Sequence, residues 1–110
     1  MIKDINIHNF EDEVLHSATP VLLDFYATWC GPCKELSSVL DVISDAYSKT
    51  IKVCRTNAET ESELAKRYNI TAVPTVIIFK NGVPHERFTG FCTAEELDRL
   101  IMKVTKGVCA

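Results

Sequence analysis

The stretch VLLDFYATWCGPCK, residues 21–34, decides how the rest of the chain is interpreted. Its first part, residues 21–26, is a short apolar run rich in strand-forming side chains, which is typical of a buried strand. From Pro32 onward, apolar residues recur at steps of three and four, as they do on one face of a helix. These residues are Leu36, Val39, Leu40, Ile43 and Tyr47. Cys30 and Cys33 therefore lie where a buried strand leads into a long helix.

Two cysteines at a helix start predict redox chemistry. The unpaired N–H groups and the positive end of the helix dipole stabilise a thiolate there. We therefore expect the pKa of the Cys30 thiol to lie below its ordinary value, which makes Cys30 a nucleophile near neutral pH. Cys33 lies one turn inside the helix, and Pro32 suits the first turn because its missing N–H costs nothing there. Redox catalysis is favoured over a purely structural disulfide, which would be unusual in a reducing compartment.

Zinc binding is an alternative use of a Cys-x-x-Cys pair. A structural zinc site normally takes two further ligands with paired spacing. The other cysteines and histidines form no second pair, so no metal site is predicted. These residues are Cys54, Cys92, Cys109, His8, His16 and His85.

The overall composition excludes several classes of protein. The chain has 110 residues, of which 46% are apolar and 25% charged, so we expect one globular domain over residues 1–110. A net charge of −3 argues against nucleic acid as a partner, and no segment is apolar enough to span a membrane. Nothing in the sequence demands more than a monomer. The first ten residues do not resemble a signal peptide, which leads us to expect a reducing, cytoplasmic location unless a leader has been removed.

Shorter signals complete the order β-α-β-α-β-α-β-β-α. Before the cysteine motif, the sequence predicts an edge strand over 2–7 and a helix over 10–17 that is capped by Asn9. After the long helix it predicts a strand over 51–56 and a short helix that begins with a capping box at 60–63. A buried strand over 76–79, a hairpin turn at Asn81-Gly82, a strand over 84–89 and a last helix beginning with a capping box at 93–96 complete the chain. The hairpin forces one antiparallel strand pair, whereas the helical crossovers favour parallel pairs. The prediction is an α/β fold with a central mixed five-stranded sheet flanked by four helices.

Several segments resemble the thioredoxin family. Residues 23–34, LDFYATWCGPCK, resemble its active-site segment. Residues 72–75, AVPT, resemble its cis-proline loop, residues 79–82, FKNG, its hairpin, and Gly90 its late glycine. The order and spacing of the elements agree over essentially the whole chain. The resemblance implies the thioredoxin fold and a redox carrier that serves electron transport and cell redox homeostasis.

The resemblance also implies a mechanism. Cys30 would attack a disulfide in a target protein, such as a peroxiredoxin, and Cys33 would then resolve the mixed disulfide. Gly31 and Pro32 would set the geometry of the motif, and Lys34 its local charge. A thioredoxin reductase would reduce the resulting Cys30–Cys33 disulfide. The chain has no glycine-rich dinucleotide motif, so it is expected to bind no cofactor, and NADPH and FAD would belong to the reductase.

Two other functional classes remain open. A disulfide isomerase or oxidase could share the fold, although the Gly-Pro dipeptide between the cysteines resembles the reducing members of the family. The chain could also be an interaction subunit without a redox role, because a fold does not by itself determine function.

Asp24 is an acidic residue inside an apolar strand, where desolvation is expected to raise its pKa. The resemblance implies proton exchange with Cys33, whereas the alternative is an acid at a strand end facing solvent. Family members often carry a lysine near this acid. The matching position here is Arg55, whose fixed charge cannot exchange protons. The sequence leaves open whether Arg55 reaches Asp24.

The resemblance further implies a substrate-binding surface around Cys30. Its residues would be Trp29, Val73, Pro74, Gly90 and Phe91. The Val73–Pro74 bond would be cis and would face Cys30, leaving the Val73 backbone free to pair with an extended substrate. The alternatives are an ordinary trans proline at a strand entry and a Trp29 side chain in the core.

The three remaining cysteines have separate expectations. Cys54 is expected to be an inert packing residue in a strand. Cys92 lies near the proposed substrate surface, where modification of an exposed thiol could block docking. Cys109, the penultimate residue, could form intermolecular disulfides. Whether Cys92 or Cys109 regulates the cysteine pair stays open.

Overall fold

A computed structural model describes residues 2–105 of the chain. The strands are β1 (Lys3–Asp4), β2 (Val21–Tyr26), β3 (Lys52–Asn57), β4 (Thr75–Lys80) and β5 (Val83–Thr89). The helices are α1 (Gly31–Ala46), α2 (Ser62–Arg67) and α3 (Ala94–Thr105), and a π-helical segment (Glu11–Leu15) lies between β1 and β2. None of the helices within this part of the chain is long and apolar enough to cross a membrane.

The strands form one mixed sheet in the order β1-β3-β2-β4-β5. Strands β1 and β2 both run parallel to β3, whereas β4 is antiparallel to β2 and to β5. Asn81 and Gly82 have φ angles of 54° and 77°, as the two-residue hairpin requires. The predicted mixed five-stranded sheet with flanking helices is therefore confirmed.

Side chains of β2 alternate between two cores, one on each face of the sheet. Leu22 packs with apolar residues of α1 and α3, whereas Leu23 and Phe25 pack with Phe10 and Leu64 on the other face. Successive side chains of a strand point to opposite faces. Asp24 therefore shares the face of Leu22 and is directed toward the side that α1 covers.

Of the two predicted capping boxes, only the second one forms. The Thr93 hydroxyl accepts the Glu96 N–H at 3.1 Å, and the Glu96 carboxylate accepts the Thr93 N–H at 3.1 Å. The prediction of a capping box at Thr60 is wrong, because the residue at the N-cap of α2 is Glu61, whose side chain makes no capping hydrogen bond. The N–H of Thr60 instead donates to the side-chain oxygen of Asn57, the last residue of β3. Asn57 thereby takes a donor that the predicted capping box would use.

The N-terminal elements are shorter than predicted. The strand expected over 2–7 is limited to β1, and the helix expected over 10–17 is the π-helical segment. Asn9 does not cap this segment, because its side chain accepts the N–H of Asn6 at 2.8 Å while the side chain of Asn6 accepts the N–H of Asn9 at 3.1 Å. The reciprocal bonds between the two asparagines turn the chain early, which ends the strand.

Candidate active site

Cys30 caps the N-terminus of α1, and Cys33 lies in the first turn of this helix. The Cys30 Sγ accepts the backbone N–H of Cys33 at 3.2 Å. The two cysteines form a disulfide with their Cα atoms 5.3 Å apart. The helix begins at Gly31, one residue before the predicted start, and Pro32 occupies its first turn. The disulfide therefore sits where backbone N–H groups and the helix dipole favour a thiolate.

Burial does not distinguish the two cysteines, because each is only 4% exposed. They pack with Ala27, Tyr26 and Val73 in a small cluster of their own. Position distinguishes them instead. The Cys30 Sγ lies 3.8 Å from the Val73 carbonyl oxygen, outside the helix. Cys33 lines a cavity beneath α1.

The Val73–Pro74 peptide bond is cis, as the resemblance implied, and the trans alternative is wrong. The Pro74 carbonyl accepts the N–H of Gly90 at 2.7 Å, which joins this loop to the end of β5. Through Val73 the loop also borders Cys30. Proline has no N–H, so no backbone donor is directed from Pro74 toward the sulfur.

Two large apolar side chains near this loop are exposed. Trp29 precedes Cys30 and is 70% exposed, which excludes the alternative that it is a core residue. Phe91 follows Gly90 and is 40% exposed. Exposed aromatic residues of this size are common in surfaces that bind other proteins.

The Asp24 side chain does not face solvent. It is 2% exposed, and its Oδ1 has no hydrogen-bond partner within residues 2–105. Burial raises the pKa of this carboxyl to about 7, and the positive charge of Arg55 opposes the rise. The carboxyl is therefore near half-protonation at neutral pH, as suits a group that exchanges protons.

Asp24 and Cys33 open onto one cavity of about 240 Å³ between the sheet and α1. Its lining residues are Ile2, Asp24, Tyr26, Ala27, Thr28, Cys33, Lys34, Ser37, Leu40 and Arg55. The cavity thus connects the buried carboxyl with the cysteine that lies inside the helix.

Arg55 lies beside Asp24 but hydrogen-bonds elsewhere. It is the register partner of Asp24 on the neighbouring strand β3. Its Nε donates to Asp4 Oδ1 at 2.9 Å, and its guanidinium carbon lies 5.5 Å from the ring centroid of Tyr26. Sequence reasoning missed Asp4 and Tyr26, because only the pairing of β1, β3 and β2 brings these residues together.

The other two cysteines that the structure describes are buried in the two cores, Cys92 on one face of the sheet and Cys54 on the other. Cys54 and Cys92 are free thiols with no exposed surface, and burial raises the pKa of each to about 11. The idea of an exposed, modifiable Cys92 is wrong, because its side chain packs into the core between the sheet and the helices α1 and α3. Cys109 lies outside the described residues. Within residues 2–105, no cluster of three or more His, Cys, Asp or Glu side chains could hold a metal ion.

Comparison with known proteins identifies the family. The family model described as Thioredoxin matches residues 1–103. The chain belongs to the thioredoxin family. The mixed sheet with its flanking helices is accordingly the thioredoxin fold, and the redox centre is the Cys30–Cys33 disulfide.

Three thioredoxin-family relatives illustrate the similarity. The chain is 43% identical over 89 residues to Thioredoxin Y1, chloroplastic, of Arabidopsis thaliana, covering 81% of this chain and 52% of the relative. It is 40% identical over 89 residues to Thioredoxin M-type, chloroplastic, of Spinacia oleracea, covering 81% and 49%. It is 34% identical over 102 residues to the Thioredoxin of Porphyra purpurea, covering 93% and 95%.

The chloroplastic thioredoxins change one expectation. The chain spans about half the length of the two chloroplastic relatives named above. The expected cytoplasmic location is wrong, because these similar thioredoxins are chloroplast proteins. The expectation relied only on the character of residues 1–10, and these residues do not determine the compartment of the chain.

Proposed function

We propose that this chain is a thiol–disulfide oxidoreductase that reduces disulfides in target proteins and is itself reduced by a thioredoxin reductase. The observation that carries the proposal is the Cys30–Cys33 disulfide at the first turn of α1. A dithiol in this position donates two electrons when it closes to a disulfide. The family match over residues 1–103 supports treating residues 1–110 as one thioredoxin domain.

In the first step, Cys30 acts as the nucleophile. In the reduced chain its thiolate is stabilised by the Cys33 N–H and the N-terminus of α1. The thiolate attacks one sulfur of the target disulfide, so that a Cys30–target bond forms while the target disulfide breaks. The released target sulfur leaves as a thiolate and takes a proton from solvent.

In the second step, Cys33 resolves the mixed disulfide. The Asp24 carboxylate accepts the proton of the Cys33 thiol across the cavity that both side chains line. The Cys33 thiolate then attacks the Cys30 sulfur, the Cys30–Cys33 bond forms, and the second target sulfur leaves as a thiolate. Two electrons have then passed to the target. The reductase reverses this change, and any NADPH and FAD belong to that partner.

The surface around Cys30 is proposed to bind an extended segment of the target. The residues proposed for this role are Trp29, Val73, Pro74, Gly90 and Phe91. Exposed aromatic side chains and the Val73 backbone beside Cys30 support it. Gly31 and Pro32 are proposed to fix the turn between the cysteines, and Lys34 to contribute positive charge beside the cavity.

The finer assignments of target, assembly and location are also proposals. Peroxiredoxins are proposed targets, since their catalytic cycle leaves a protein disulfide that a dithiol can reduce. The chain is proposed to act as a monomer, which size-exclusion chromatography with light scattering would test. The chloroplastic thioredoxins among its relatives support a plastid location.

Insulin reduction with a thioredoxin reductase and NADPH tests the activity. We expect turnover in the wild type and in a Cys54→Ala control, which removes a thiol outside the site. We expect none in Cys30→Ser or Cys33→Ser, and a mixed disulfide with insulin trapped on Cys33→Ser. Full turnover in Cys30→Ser would contradict the proposal. Reshuffling of scrambled disulfides without insulin reduction would indicate an isomerase. Partner binding that is kept by the Cys30→Ser/Cys33→Ser double variant, without insulin reduction by the wild type, would indicate an interaction subunit.

A further inference from the structure

Three charged residues lie in one row across neighbouring strands. Asp4 on β1 is the register partner of Arg55 on β3, and Arg55 is the register partner of Asp24 on β2. Side chains of register partners in parallel strands share a face of the sheet. A basic residue therefore stands between two acidic residues, and it can pair with either.

Arg55 pairs with the outer acid. Its Nε donates to Asp4 Oδ1 at 2.9 Å, while Asp24 Oδ1 has no hydrogen-bond partner among residues 2–105. The guanidinium also lies over the ring of Tyr26. These contacts lie toward solvent, since the Arg55 side chain is 42% exposed and that of Asp4 is 75% exposed.

We propose that Asp4 is a positioning residue of the redox site: by binding Arg55, it keeps the guanidinium from pairing with Asp24 and so leaves the buried carboxyl able to exchange protons. The inference rests on the proposed proton exchange between Asp24 and Cys33. Asp4 touches neither cysteine and acts through Arg55.

The direction of the effect follows from charge. An arginine that pairs with a buried aspartate strongly favours the ionised form, and such a carboxylate is a weak base. Asp4 opposes this pairing because it occupies the Arg55 Nε and offsets the positive charge of Arg55. Both effects have the same sign and both depend on Arg55, so removing the Asp4 carboxylate lowers the pKa of Asp24.

The other charged and titratable groups around Asp24 stay constant in this comparison. Those that line the cavity are Tyr26 on β2, Cys33 and Lys34 on α1, and Arg55 on β3. The partner of Asp24 on β4 is Val76, which carries no charge. In the oxidised chain Cys33 does not titrate, which leaves the Asp24 carboxyl as the group to follow.

The carboxyl-carbon NMR signal of Asp24, titrated in the oxidised chain, tests the proposal. Asp4→Asn is expected to lower the titration midpoint by about one pH unit, the lower end of the shift that an adjacent arginine produces. Asp4→Glu, which keeps the carboxylate, is expected to stay near the wild-type midpoint. The control Asp12→Asn makes the same chemical change at an exposed position of the π-helical segment and is expected to leave the midpoint unchanged.

A double-mutant cycle tests whether the effect passes through Arg55. Arg55→Met is expected to raise the midpoint, and Asp4→Asn added to it is expected to have little further effect. An unchanged midpoint in Asp4→Asn would overturn the proposal, as would an equal shift with and without Arg55. The titration involves no turnover. A chain that fails to reduce insulin but shows the predicted shifts would therefore refute the proposed activity and leave intact only the effect of Asp4 on the titration of Asp24.

Discussion

Replacing Asp24 by asparagine is expected to stabilise the oxidised chain, and the gain should grow as the pH rises. Burial raises the pKa of the Asp24 carboxyl from 3.8 to about 7, against the opposing charge of Arg55. Between pH 3.8 and about pH 7, the unfolded chain loses the Asp24 proton while the folded chain keeps it. The unfolded state then binds fewer protons than the folded state, so the wild type becomes less stable as the pH increases through this window.

The size of the effect follows from the same two values. The pKa of Asp24 differs by about three units between the unfolded chain, at 3.8, and the folded chain, at about 7. At 1.36 kcal/mol per unit, ionisation of this carboxyl lowers the free energy of unfolding of the wild type by about 4 kcal/mol. About 3 kcal/mol of this is lost between pH 5 and pH 8. Because domains of this kind are usually stable by only about 5–15 kcal/mol, the effect is easily measured. Asparagine carries no ionisable proton, so the variant lacks this contribution.

Urea unfolding of oxidised wild type and Asp24→Asn at several pH values between 5 and 8 measures the difference. Both chains are kept oxidised because a free Cys33 thiol would titrate as well. Asp41→Asn, on the exposed side of α1, is the matched control and is expected to follow the wild-type curve. If the wild type and Asp24→Asn lose stability in parallel across this range, the Asp24 carboxyl is not desolvated and the reasoning fails.

Four further substitutions and reactions probe other parts of the structure. Thr93→Ala removes the capping box and is expected to cost about 1 kcal/mol in urea unfolding. Gly82→Ala is expected to cost more than about 1 kcal/mol, because φ is 77° and a Cβ would lie 2.8 Å from the Leu15 carbonyl oxygen. Trp29→Ala is expected to change the free energy of unfolding by less than about 0.5 kcal/mol, since the side chain is 70% exposed, while raising KM for insulin. The thiol of Cys92, buried with a pKa of about 11, is expected to react with a maleimide only after unfolding, as peptide mapping would show.

Strong periodic patterns in the sequence predicted most of the fold. The apolar run at 21–26, the helical spacing after Pro32 and the hairpin at Asn81-Gly82 all have one favoured local structure, and the observed elements follow them. Short polar signals were less reliable. The capping boxes at 60–63 and 93–96 have the same pattern, but only the second forms, because another polar side chain is directed to the N–H of Thr60.

In the active site, too, the features set by local sequence were predicted and those set by strand pairing were not. The Cys30–Cys33 pair and its place at the helix start are local features, so the sequence located them. The face of Asp24 also follows from alternation along β2 once α1 is known to cover that face. The Arg55–Asp4 pair joins residues 51 positions apart. It depends on the register of β1 against β3, which no local pattern contains.

The stability of the fold alone does not account for Asp24. Its buried carboxyl is expected to cost about 4 kcal/mol when ionised, and an apolar side chain in the same strand would carry no such cost. The adjacent Arg55 could reduce that cost by pairing with Asp24, yet its Nε donates to the exposed Asp4 instead. The charge of Arg55 thus stabilises the ionised carboxyl only in part, on a cavity that Asp24 shares with Cys33. This arrangement is unfavourable for folding and favourable for proton exchange, which is the reason to look for the function of Asp24, Arg55 and Asp4 in the redox step.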